Sequence, residues 1–106
     1  MKRGTITWVD LSDAHPPEMG KVRPGIVVSN TQQNAVLDTV VVVPTSSLAP
    51  EIIPLRLALG KFAGKESFAI IPGIRQVRKS RLRGELGALS TAKLAKLDEC
   101  LQAYLR

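Results

Sequence analysis

The chain has 106 residues, of which 44% are hydrophobic and 23% charged, a balance that fits a single globular domain over 1–106 and excludes a disordered tract. A net charge of +6, from 15 lysines and arginines against 9 acids, favours an anionic partner, either nucleic acid or an acidic protein segment. One cysteine, Cys100, excludes an internal disulfide and a cysteine-cluster metal site, and no apolar run reaches membrane-spanning length, so the expected location is a reducing cytoplasm.

Thr5, Thr7 and Asp10 interrupt the stretch after Lys2-Arg3, which therefore does not read as a signal peptide; residues 5–11 read as a first strand. Residues 12–24 read as a long loop stiffened by Pro16-Pro17 and Gly20, and a loop of this length in a small domain is more often functional than incidental. A second strand is expected at 25–29, a helical turn at 31–35, and a third, most apolar and central strand at 37–43. Pro50 and Pro54 bracket a weak segment. Residues 55–59 read as a half-exposed strand, 60–65 as a turn, 67–71 as an apolar strand stopped by Pro72-Gly73, and 83–89 as a last short strand. Ser90 then caps a helix, with Leu89 and Leu94 placed for a hydrophobic staple and Lys93 standing where a capping-box glutamate would help. Leu94, Leu97, Leu101 and Tyr104 give this helix one apolar face. Many short strands with one amphipathic C-terminal helix predict a mainly β fold with short helices (α+β), a small curled sheet or barrel.

Two stretches share one pattern. In Gly20-Lys21-Val22-Arg23-Pro24-Gly25-Ile26-Val27-Val28-Ser29-Asn30 a cation precedes an apolar strand, and in Val40-Val41-Val42-Val43-Pro44-Thr45-Ser46-Ser47 hydroxyls follow one. If the strands pair, Arg23 meets Thr45 and Ser46 at one sheet edge, with Lys21 adding charge. That set suits a phosphodiester, because a guanidinium grips phosphate oxygens and hydroxyls donate to them. The plainer alternatives are an ion pair of Arg23 with Glu18 or Asp13, and a Thr45 side chain bonded to its own turn. His15, the only histidine, is either a proton carrier or an exposed loop residue. Arg75, Arg78, Lys79, Arg81 and Arg83 place five cations in nine residues with no acid, an anion-binding strip or a solvated turn. Gln32, Gln33 and Asn34 could read bases but fit a capped helical turn better, and Trp8 fits core packing better than base stacking. There is no metal-ligand pattern and no glycine-rich phosphate loop, so neither metal nor cofactor is expected.

The same residues carry a resemblance. Lys-x-Arg-Pro before an apolar strand ending Ser29-Asn30, then a strand ending Pro44-Thr45-Ser46-Ser47, resembles the MazF/PemK family of toxin ribonucleases. Arg3-Gly4-Thr5-Ile6 and Val9-Asp10-Leu11 resemble its opening strand, the segment from Ile74 to Leu82 its central basic stretch, and Gly87-Ala88-Leu89-Ser90 its entry into the last helix. The ordered set, spanning nearly the whole chain, is the specific signal; no single piece is. The resemblance implies an SH3-like barrel of the MazF/PemK/CcdB type, acting as a homodimer. It implies the toxin of a type II toxin–antitoxin system, an mRNA interferase that cleaves single-stranded RNA sequence-specifically and without metal. It gives Arg23 and Thr45 catalytic roles, keeps His15 as a candidate, and assigns Lys21, Ser46, Arg75, Arg78, Lys79 and Arg81 to RNA. The implied second partner is a cognate antitoxin with an acidic disordered segment.

The chain also departs from the family pattern. Pro72 stands where some members carry an acid, Gly73 replaces a glutamine, Thr5 replaces an acid after the opening glycine, and Arg78 replaces an aspartate. An Asp-based proton transfer is thereby removed, leaving an Arg/Thr scheme with no assigned general base. Two other readings stay open: a gyrase-poisoning toxin of the CcdB type, and a catalytically silent member that binds RNA or antitoxin.

Overall fold

The computed structural model describes residues 1–16, 20–48 and 50–106. The strands are β1 (Thr5–Asp10), β2 (Val22–Val27), β3 (Thr39–Ser46), β4 (Arg56–Phe62), β5 (Lys65–Ile70), β6 (Arg75–Arg78) and β7 (Leu82–Ala88). Helix α1 (Thr31–Val36) follows β2, α2 (Thr91–Leu105) follows β7, and 3-10 turns at Ile71–Gly73 and Lys79–Arg81 flank β6. All pairings are antiparallel, in the order β4-β5-β3-β2-β1-β7, with β6 also on β3. The expected mainly β architecture with a C-terminal helix is borne out, as a curled half-barrel.

β3 holds the sheet together. One edge pairs with β2; the other is shared, β6 covering Thr39 to Val42 and β5 covering Thr45 and Ser46. β5 and β6 thus form one line interrupted by the 3-10 turn, and the gap lies opposite Val43 and Pro44. A proline in a central strand would leave a ladder acceptor unserved. Pro44 is accommodated because its missing N–H faces the gap. Pro72, at the start of the turn, is equally at home there. The Pro72-Gly73 departure thus coincides with a structural break in the sheet.

Two apolar layers sandwich the sheet. On one face α2 lays Leu97, Cys100 and Leu101 against Ile6, Ile26, Val43, Leu57, Leu59, Ala69 and Ile71. Val9, Leu11, Val27, Val40, Val42 and Val77 form the second layer. Ser90 Oγ accepts from the Lys93 amide at 3.2 Å, and Leu89 and Leu94 both pack on the first layer, so the predicted cap and staple are present. Tyr104 does not complete the apolar face as expected; it is 40% exposed, and Cys100 takes the buried position instead. Burial pushes the Cys100 thiol up from its ordinary value, which suits a packing role. Arg3 ties α2 to the far end of β2, donating through Nε to Val28 O at 2.8 Å and through Nη1 to Asp98 Oδ2 at 3.1 Å. No helix among the described residues is long and apolar enough to cross a membrane.

Several boundaries differ from expectation. β2 begins at Val22 and β3 runs on to Ser46, so Arg23, Thr45 and Ser46 sit inside strands rather than beside them. β4 extends through Phe62, leaving only Ala63 and Gly64 as its turn to β5. β6 lies where no strand was expected.

Candidate active site at the open end of the sheet

α2 covers only part of its face. Beyond it lies an open cleft of about 350 Å³, lined by Trp8, Lys21 to Pro24, Thr45 to Leu48, and hairpin residues including Phe62, Lys65 and Ser67. Arg23 is half-buried there and held at two points, Nε donating to Gly20 O at 2.8 Å and Nη1 to Thr45 O at 3.3 Å. The second bond depends on its neighbour. Pro24 has no N–H to donate across the ladder to Thr45, so that carbonyl remains open to the Arg23 guanidinium. The guanidinium has five N–H donors, and the two fixed ones leave three for an anion. Among the described residues no carboxylate lies within ion-pair distance of Arg23. Asp13, one candidate partner, is engaged elsewhere, and Glu18 lies outside the described residues.

Thr45 is 2% exposed, and its hydroxyl donates to Pro24 O at 2.8 Å. It bonds across to β2 and not to its own turn. Ser46 Oγ accepts from the Leu48 amide at 3.2 Å and shapes the exit of β3. Lys21 stands at the cleft mouth with φ of 70°, a left-handed conformation held by Leu11 N–H donating to its carbonyl at 2.8 Å. Lys21, Arg23, Thr45 and Ser46 therefore come together. His15 is exposed on its loop and outside the cleft lining.

The basic strip is a separate feature from the cleft around Arg23. Arg75 pairs in register with Val42 and Arg78 with Thr39, along the other half of β3. Its local lack of acids is made good from β1 and the following loop. Asp13 bridges Arg75 at 3.2 Å and Arg81 at 3.3 Å, and Asp10 meets Arg83 at 3.1 Å. The hydrogen bond from Arg75, joined by the charges of Arg75 and Arg81, holds the Asp13 carboxyl below its ordinary value. Asp10 is lowered chiefly by hydrogen bonds from the Ser12 hydroxyl and amide, then by Arg83. Arg78 and Lys79 instead border a shallow depression with Asp38, Thr39 and Ser80.

Asn34 is no base reader: it is 1% exposed, donating to Met1 O and Ser29 O while its Oδ1 accepts from Ser29 Oγ. Asn30 caps α1 as the turn reading expects, and α1 follows the end of β2 remote from Arg23, which puts Gln32 and Gln33 away from the cleft. Trp8, read as core, lines the cleft, as do Phe62, Lys65 and Ser67, which sequence reasoning missed. Alternation along β1 from buried Ile6 was the available signal for Trp8; nothing local marked the hairpin residues.

A family model described as the PemK-like, MazF-like toxin of type II toxin–antitoxin systems matches residues 2–105. The chain is 34% identical over 113 aligned positions to the Endoribonuclease MazF9 of Mycobacterium tuberculosis, covering 99% of this chain and 96% of that one. It is 30% identical over 109 positions to the Endoribonuclease MazF of Staphylococcus epidermidis, covering 99% and 91%. Its fold is similar to the crystal structure of MazF from Deinococcus radiodurans, with a TM-score of 0.87 at 23% identity, covering 99% and 96% of the two chains. It is also similar to an endoribonuclease in complex with its cognate antitoxin from a mycobacterial species, with a TM-score of 0.81 at 24% identity, covering 99% and 94%. The chain belongs to the PemK-like, MazF-like toxins of type II toxin–antitoxin systems.

Proposed function

We propose that this toxin-system endoribonuclease cleaves single-stranded RNA in the cleft at the open end of its sheet, with Arg23 as the central catalytic group. The observation that carries the reading is the two-point clamp on Arg23, which fixes a guanidinium in a cleft and leaves donors for a phosphate. In the reaction the RNA 2′-oxygen bonds to the adjacent phosphorus and the bond to the 5′-oxygen breaks. The 2′-hydroxyl loses its proton and the departing 5′-oxygen gains one. Negative charge grows on the non-bridging oxygens in between. A preorganised cation stabilises that state more than the ground state. Arg23 supplies it without reorganising.

Thr45 is the aligning group in this scheme. At rest its proton lies on Pro24 O; rotation about its C–O bond turns it towards a phosphate oxygen. Lys21 and Ser46 bind the RNA backbone at the mouth. His15 is the candidate proton carrier. The strip of Arg75, Arg78, Lys79 and Arg81 lies outside the catalytic cleft and serves flanking RNA or an acidic, initially disordered segment of a cognate antitoxin. The working form is a cytoplasmic homodimer, twice the 11.5 kDa chain in solution. Among the described residues no three His, Cys, Asp or Glu side chains cluster, so the charge offered to a phosphate is that of side-chain cations. Gyrase poisoning and silent binding are not favoured, since the curated relatives are named endoribonucleases.

A long single-stranded RNA incubated in EDTA with wild-type and Arg23→Ala protein, with product ends sequenced, tests the reading. Discrete cuts by wild type that vanish in the variant are expected. Folded wild-type protein that leaves diverse RNAs intact would sink it. In the same assay, a His15→Gln protein with the wild-type rate at every pH would remove His15 from the scheme.

A further inference from the structure

We propose that the β4–β5 hairpin forms the second wall of the substrate site, with Lys65 holding a phosphate next to the scissile one and Trp8 and Phe62 receiving an unpaired base. This inference rests on RNA being the ligand of the cleft. The hairpin is built for placement. Its two turn residues, Ala63 and Gly64, have φ of 51° and 80°. Two positive φ values in succession give the tight two-residue turn whose twist matches antiparallel strands. Phe62 and Lys65 are therefore directly opposed in register, an aromatic ring beside a cation at the tip of a rigid ribbon. Ala63 holds a left-handed conformation that L-residues with a side chain rarely adopt, and such strain concentrates at ligand sites.

The charges fall on both sides of the cleft. Lys21 and Arg23 come from the β2 side and Lys65 from β5, and these strands flank β3. Across the sheet two strand spacings separate them, about 10 Å, and Lys65 stands four residues along β5 from Ala69, the register partner of Thr45, towards the hairpin tip. The acid at this wall, Glu66, lies opposite Lys61 in the hairpin register, so the hairpin's acid has a cation across from it. Beside the cations, on the outer strand at each side, the cleft carries two of the chain's four aromatic rings, Trp8 on β1 next to β2 and Phe62 on β4 next to β5, both half-exposed. Aromatic faces beside cations are the pattern of single-strand recognition, in which bases stack and the backbone is neutralised. The volume, about 350 Å³, is at the small end of ligand sites and fits one splayed nucleotide rather than a duplex.

Trp8 is the chain's single tryptophan, so its fluorescence reports this site alone. The probe is a short single-stranded oligonucleotide of 2′-deoxynucleotides, which has no 2′-hydroxyl to attack and so binds intact. Quenching of Trp8 is expected in wild type and in Arg23→Ala. Lys65→Ala should weaken binding about tenfold and lower the slope of log affinity against log salt by about 0.7, the share of one phosphate contact on a single strand. Lys65→Arg should restore both. In cleavage, Lys65→Ala should raise KM with little change in kcat. Lys65 is exposed, so its removal leaves the folded state intact. Binding by anisotropy without a Trp8 signal, or an unchanged salt slope in Lys65→Ala, would overturn the inference while cleavage by wild type stands. Quenching without cleavage would support it and overturn the nuclease reading instead.

Discussion

One face of one sheet has two ends that differ in kind. Under α2 the strands present Ile6, Ile26, Val43 and Ala69, all buried. Two residues along the same strands, Trp8, Pro24, Thr45 and Ser67 line the cleft instead. Side chains two apart on a strand share a face, so the same ladder that seats the core also seats the site. The covered end is sealed by apolar packing. The open end keeps the rigidity and omits the lid. A catalytic group on such a frame is held to a fraction of an ångström by structure that has another purpose.

The contrast can be broken from either end. The largest expected effect is at the open end: Arg23→Ala should lower kcat about 10²- to 10³-fold, with thermal unfolding nearly unmoved. At the covered end Leu97→Ala should destabilise by about 2–5 kcal/mol, read by urea unfolding, while activity per folded molecule stays close to wild type. A parallel loss of both would mean that the two ends are one unit. Thr45→Val sits on the seam. It removes the hydroxyl bonded to Pro24 O and should cost about 1 kcal/mol, with a fall in kcat larger than the unfolded fraction explains. The smallest effect is expected at Asp13. Its carboxyl is lowered from an ordinary value near 3.8, so its contribution is present above that pH and fades as pH falls through the lower folded value. Asp13→Asn should flatten stability against pH on that acid side and leave neutral pH nearly unchanged, since the groups are solvent-screened.

What the sequence made legible follows the same division. The covered end is written in local patterns: the Ser90 cap, the Leu89 and Leu94 staple, and the apolar run of Val40 to Val43 in the central strand all appear where expected. Arg23, Thr45 and Ser46 were legible as residues, from position and from family resemblance. Their clamp was not, because it depends on which carbonyl Pro24 leaves open across a strand pair. β6 was hidden because Arg75-Gln76-Val77-Arg78 has one apolar residue, and it is a strand only through its pairing with β3. The basic strip misled for the same reason. Its counter-charges, Asp10 and Asp13, are more than sixty residues away in sequence. Trp8 was assigned to the core because a rare aromatic usually packs, yet the helix that would have covered it stops short.

The clasp between Arg3 and Asp98 joins positions 95 residues apart. Its consequence is one of timing. A growing chain can form the β1–β2 ladder early, but the covered face has no lid until residue 98 has been made, and the cleft lacks its hairpin wall until residue 65 has. Arg23 is made well before the frame around it is complete. For a protein of an endoribonuclease family, competence waits until residue 98 has been made and docked.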